Sequence, residues 1–160
     1  MSTRKKKTVV AAAILVIAAV TLLICFSFRP LCLRLSDAES GRVYAKLPLA
    51  EGESFSVTFR HSVNKSDVTE IYERRGREIW LTGCVYYDFG AGVAEVLEPS
   101  WTLSYGDAGE MIIGGIETKM NSLTYIVGTV YDHILDIGGE RIILNELCGR
   151  NTKVHFDIAR

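Results

Sequence analysis

Signatures of catalysis are missing from this sequence. None of its 160 residues belongs to a Gly-x-Ser-x-Gly elbow, a His-Glu-x-x-His pair, a phosphate-binding loop or a dinucleotide fingerprint. The three histidines, His61, His133 and His155, lie far apart, and no spacing among them suits a metal. Only four cysteines occur, at intervals that fit no zinc motif, so neither a metal nor a cofactor is expected. Ser62 follows His61, but neighbours on a strand point to opposite faces, which excludes them as nucleophile and base. Together these absences argue against an enzyme, although catalytic groups can also assemble from distant strands.

A basic surplus is lacking too. From Arg29 to Arg160 there are 14 Lys+Arg against 19 Asp+Glu. A mildly acidic domain does not grip nucleic acid or an anionic lipid surface by charge, so no nucleic-acid partner is expected.

What the sequence does contain is one long apolar run. Val9 to Phe28 has no charge, no Pro and no Gly, and about twenty such residues span the ~30 Å core of a bilayer as a helix. Arg4, Lys5, Lys6 and Lys7 precede it, and the positive-inside bias then places the N-terminus in the cytoplasm. The expected organisation is a cytoplasmic basic tail at 1–8, a transmembrane anchor at 9–28 and an extracytoplasmic domain at 29–160, single-pass in the cytoplasmic membrane. A cleaved signal peptide is the competing reading, but a signal core is typically about 7–15 residues long and ends in small residues. Here the stretch ends Ile24-Cys25-Phe26-Ser27-Phe28. Leu22 suits a lipoprotein cysteine at Cys25, whereas Ile24 does not; the plainer reading of Cys25 is an apolar residue of the helix. Cys32, Cys84 and Cys148 remain outside, an odd count that allows at most one internal bridge and does not say which pair forms it.

After Pro30 the pattern turns to short alternation, the mark of half-buried strands. Leu31, Leu33 and Leu35 alternate first, and Val43, Ala45 and Leu47 follow. In the clearest strand Phe55, Val57, Phe59, His61 and Val63 share one face, and Ser54, Ser56, Thr58, Arg60 and Ser62 the other. Further strands are expected at Val68–Arg74, Glu78–Tyr87, Val93–Leu97, Met111–Ile116, Leu123–Val130, His133–Ile137, Arg141–Leu144 and Val154–Ile158, with Gly138-Gly139 as a two-residue hairpin turn. Trp101 and Leu103 are the expected buried side chains of a looser stretch ending near Gly109. No helical period of useful length appears after the anchor. The fold expected is all-β, a β-sandwich or small barrel of about ten short antiparallel strands, preceded by one N-terminal transmembrane helix.

If Asn64–Asp67 forms the loop of a regular hairpin, Val63 opposes Val68, His61 opposes Glu70 and Phe59 opposes Tyr72. An imidazole and a carboxylate then meet on an apolar face, within hydrogen-bonding reach across the strands. Such a pair titrates as a unit. One reading is a satisfied core pair that fixes the hairpin's register; the other is a small-molecule site in which His61, Glu70 and Tyr72, with Arg60 and Ser62 nearby, face an organic ligand. The Gly90-Ala91-Gly92 turn after Phe89 either turns a corner between strands or offers backbone amides to an anion.

The ordered set Phe59-Arg60-His61-Ser62-Val63, then Val68, Glu70 and Tyr72, then Phe89-Gly90-Ala91-Gly92, resembles the pattern of the bacterial domain-of-unknown-function family number eighteen-fifty. The resemblance extends from Leu31 to the C-terminus, and its specific part lies between Gly52 and Gly92. It rests on His61, Ser62, Glu70, Gly90 and Gly92. Val93-Ala94 stands where that family often has Leu-Pro, which affects the shape of that turn and not the strands before it. The resemblance implies a small extracytoplasmic protein associated with TAXI-type TRAP transporters. It further implies an accessory role in solute uptake, with the permease or its binding protein as partner.

Overall fold

The computed structural model describes residues 14–21, 30–62, 65–88 and 98–160. Residues 14–21 are helical, and no helix among the described residues is long and apolar enough to cross a membrane. The rest of the apolar run, the Val93–Leu97 strand and the Gly90-Ala91-Gly92 turn lie outside the described residues. The chain divides into an N-terminal unit and a second unit, Leu31–Ala159.

The second unit is mostly β, with eleven strands among the described residues. They are β1 (Cys32–Asp37), β2 (Val43–Pro48), β3 (Ser54–Arg60), β4 (Asp67–Arg75), β5 (Glu78–Tyr86) and β6 (Thr102–Tyr105). Then come β7 (Met111–Met120), β8 (Leu123–Ile126), β9 (Ile134–Ile137), β10 (Glu140–Ile143) and β11 (Lys153–Ala159). They form two antiparallel sheets, a four-stranded one in the order β2-β1-β11-β8 and a seven-stranded one in the order β10-β9-β3-β4-β5-β7-β6. The architecture is therefore a sandwich.

The alternating residues of the sequence supply the layer between the sheets. Leu33 and Leu35 of β1, Val154, Phe156 and Ile158 of β11, Phe55 and Val57 of β3 and Leu135 and Ile137 of β9 are all buried in one cluster. Phe55 joins the layers: its ring stacks at 5.2 Å on Tyr72 of its own sheet and at 6.3 Å on Phe156 of the other. Stacked aromatics add about 0.5–1.5 kcal/mol beyond the area they bury. Cys84, Met111, Ile113 and Ile116 form a second buried cluster, against which Trp101 packs.

Several turns follow from local chemistry. Ile137 pairs with Glu140, which leaves Gly138 and Gly139 as a two-residue turn, both at positive φ as a primed hairpin turn requires. Between β1 and β2, the Asp37 carboxylate accepts the N–H groups of Glu39 (3.0 Å) and Ser40 (2.7 Å), the Ser40 hydroxyl (2.9 Å) and the Tyr44 hydroxyl (2.8 Å). These donors, the Ser40 N–H foremost, hold the Asp37 carboxyl down at about 2. Because the folded value lies below the unfolded one, this contribution is complete above the ordinary carboxylate range. It disappears as the pH falls through about 4 towards about 2. Acid titration of unfolding is therefore expected to lose part of its slope in this window in Asp37→Asn; an unchanged slope contradicts the assignment.

Three expectations are corrected. Thr102–Tyr105, read as loop, is a strand at the edge of the large sheet, and Leu103, expected to be buried, is 41% exposed there. Leu123–Val130 is a strand only to Ile126. Leu144, expected to end a strand, instead begins one helical turn, Leu144–Cys148, after β10.

Candidate functional site

The hairpin that carries the family-like residues has a different register from the expected one. Arg60 pairs with Asp67, Phe59 with Val68, Val57 with Glu70 and Phe55 with Tyr72. The loop sits two residues earlier, because the His61 N–H donates to the Ser66 carbonyl (2.8 Å) and Lys65, at φ 54°, reverses the chain. His61 therefore does not oppose Glu70; Val57 takes that place. The displacement is an even number of residues, so the faces survive: Glu70 and Tyr72 still point to the same side as Phe55, Val57 and Phe59.

Glu70 lies in the middle of an inward row that runs across five strands: Leu135, Val57, Glu70, Cys84 and Ile113. It is the one acid in that row. A carboxylate among apolar neighbours is costly unless donors reach it, and two phenols do. Tyr72, two residues along β4, donates to Glu70 Oε2 at 2.8 Å. Tyr125, from β8 of the opposite sheet, makes a short hydrogen bond to the same oxygen, and the two phenolic oxygens lie 2.7 Å apart. Three oxygens thus close a triangle that ties one sheet to the other. Burial, together with the Glu70 charge, raises both phenols well above the ordinary tyrosine range, so both remain protonated donors.

The imidazole beside this triangle belongs to His133, not His61. Its ring stacks on Phe59 at 5.6 Å and meets the edge of Tyr125 at 5.9 Å. Burial lowers its pKa against the opposing pull of Asp132 and Glu70. The neutral ring accepts the Gly128 N–H at Nδ1 (3.2 Å), which leaves Nε2 as the protonated nitrogen. Gly128 has to be glycine, since a Cβ there would come 2.4 Å from the Tyr131 carbonyl oxygen. On the other flank, burial and then the Glu70 charge push the Cys84 thiol up to about 11, and burial pushes the Tyr86 phenol up to about 12. Cys84 is therefore an apolar thiol rather than a nucleophile.

Of the residues singled out from sequence, Glu70 and Tyr72 come together, whereas the other three belong to the hairpin tip. His61 closes the loop through its backbone, Ser62 is exposed, and Arg60 lies over the Tyr131 ring at 4.9 Å and donates to the Lys65 carbonyl. Tyr125 and His133 were not singled out. The signal for both was present: Tyr125 stands two residues from Leu123 and His133 two residues before Leu135, each in phase with a buried residue of an expected strand. Cys32, Cys84 and Cys148 are free thiols. Among the described residues no group of three or more His, Cys, Asp or Glu is arranged to hold a metal.

Chemically, the triangle can accept and donate hydrogen bonds between two layers, and it offers one carboxylate to a polar group that enters beside His133. Neither a curated protein nor a solved structure matches the chain. Residues 55–144, more than half of the 160-residue chain, match the family described as Domain of unknown function (DUF1850), and the protein belongs to that family.

Proposed function

We propose that this protein is a non-enzymatic accessory subunit. Its apolar N-terminal run anchors it in the cytoplasmic membrane with the β domain outside, and it assists a TAXI-type TRAP solute uptake system. The observation that carries the reading is the nature of the polar centre. Glu70 is engaged by Tyr72 and Tyr125, which themselves touch, and Cys84 beside it is held as a thiol. Such a centre binds two sheets together, and its thiol is not an activated nucleophile. The charge-free run 9–28 behind four basic residues supports the anchor. Co-purification of the permease or its binding protein with the full chain in mild detergent is the expected result. Recovery of each without the other, from cells that express both, contradicts it.

A second reading is favoured by one observation: Glu70, Tyr125 and His133 are half-buried rather than sealed. In that reading a small organic ligand bearing a hydrogen-bond donor reaches Glu70 and Tyr72 past His133. A thermal shift with organic acids or amino acids that disappears in Tyr125→Phe, with the fold retained, supports it over the first.

A further inference from the structure

A carboxylate drawn out of water needs a positive partner or enough donors to offset the loss. Glu70 has donors at one oxygen only. Tyr72 and Tyr125 both serve Oε2, and Oε1 has no hydrogen-bond partner among the described residues. No buried side-chain oxygen or nitrogen among them is left without a partner, so Oε1 must touch solvent. The same holds for His133 Nε2, since Nδ1 is taken by the Gly128 N–H. The polar centre is therefore open at its unengaged oxygen.

No cation of the β domain answers this charge. None of the ion pairs among the described residues includes Glu70. The rest of Leu31–Ala159, residues 63–64 and 89–97, contains no Lys or Arg. Nearby arginines are engaged elsewhere: Arg60 lies over the Tyr131 ring, and Arg150 donates to the Gly128 (3.3 Å) and Thr129 (3.1 Å) carbonyls and pairs with Asp132 at 3.0 Å. Burial lowers the His133 pKa, so that ring adds no charge at neutral pH. What stands beside the acid is aromatic. The rings of Phe59, Tyr125 and His133 touch one another at centroid distances of 5.6 to 5.9 Å, and aromatic faces attract a cation within about 6 Å of the ring. The loop that carries His133 is held by Arg150, which places this ring before any ligand arrives.

We propose that this centre takes an organic ammonium ion, a protonated primary amine whose N–H groups donate to Glu70 Oε1 and whose apolar body lies against Phe59, Tyr125 and His133. The assignment rests on the second reading of the function, a ligand that enters beside His133, and adds the charge of that ligand. A metal ion fits poorly, because among the described residues no three His, Cys, Asp or Glu are grouped to hold one. An organic anion meets Glu70 and Asp132 as like charges. A neutral alcohol leaves the carboxylate's charge unanswered.

Three probes of similar shape test this: 2-phenylethylamine, 2-phenylethanol and 3-phenylpropanoate, titrated calorimetrically into the full chain in a non-ionic detergent, with detergent alone as the blank. The amine is expected to bind at least ~tenfold more tightly than the alcohol, and the acid more weakly than either. Glu70→Gln keeps an acceptor for the two phenols and removes the charge, so the amine should fall to the level of the alcohol while melting changes little. Phe59→Leu leaves the hydrogen bonds of the triangle in place and should weaken the amine more than the alcohol. Alcohol or acid binding as tightly as the amine overturns the ammonium assignment and leaves the ligand reading standing. No saturable binding of any of the three overturns both. An amine preference that persists in Glu70→Gln, or in Phe59→Leu should the first variant not fold, also overturns the assignment.

Discussion

Glu70→Leu, with both tyrosines intact, is expected to lower the free energy of unfolding by about 1–3 kcal/mol, because it removes the acceptor shared by the buried Tyr72 phenol and the half-buried Tyr125 phenol. The same leucine placed together with Tyr72→Phe and Tyr125→Phe should cost about 1 kcal/mol or less, since no donor is then left without a partner. The residue added is larger in apolar area than the one removed, so a loss in the single variant cannot come from burial. Urea unfolding of the parent, the single variant and the triple variant measures this. A single variant as stable as the parent would mean that the phenols do not depend on the carboxylate. The triple variant is also the reagent that separates structure from function: a folded protein that no longer acts with its partner or ligand assigns the triangle a role beyond holding the sheets.

The second large effect concerns Phe55. Its ring is 2% exposed, stacks on Tyr72 and Phe156, and lies next to Val57 in the main cluster. Removing it opens a cavity at the junction of the two layers, and Phe→Ala substitutions of this kind cost about 3–5 kcal/mol. For a domain whose total stability is typically about 5–15 kcal/mol, that is a large share. Phe55→Ala should therefore melt far below the parent, and it should loosen Tyr72 and the triangle with it. Phe59→Ala, at a half-buried position on the same strand, should cost less. Equal losses at the two positions would contradict the placement of the core.

Alternation carried most of the fold. Phe55, Val57 and Phe59, like Val154, Phe156 and Ile158, stand in phase because one face of each strand is dry, and that is a property of sequence order alone. Gly138-Gly139 was legible for a similar reason, since only a primed turn needs two residues at positive φ. β6 was not legible: all four of its residues are exposed, so no dry face imposed a pattern on Thr102–Tyr105. Nor was the loop register. A four-residue loop fits at Asn64–Asp67 as well as at Ser62–Lys65, and Lys65, which adopts a positive φ, gives no sign of it in the sequence, since that conformation favours Gly, Asn or Asp.

The candidate site divides along the same line. Glu70 and Tyr72 share a face of one strand, and their juxtaposition is written into two positions of sequence. Tyr125 and His133 arrive from fifty or more residues further on, brought by the packing of one sheet on another and by the loop that Arg150 holds. The expected imidazole, His61, does not face the acid; the histidine beside Tyr125 is His133. Periodicity fixes which residues share a face, whereas the meeting of two faces depends on sheet order, which no local pattern encodes.

A pair of double-mutant cycles tests the central claim most directly. Tyr125→Phe with Glu70→Leu should show a coupling energy within the 0.5–3 kcal/mol seen for residues in contact, and His61→Ala with Glu70→Leu should show about none. Coupling to His61 with none to Tyr125 would contradict it.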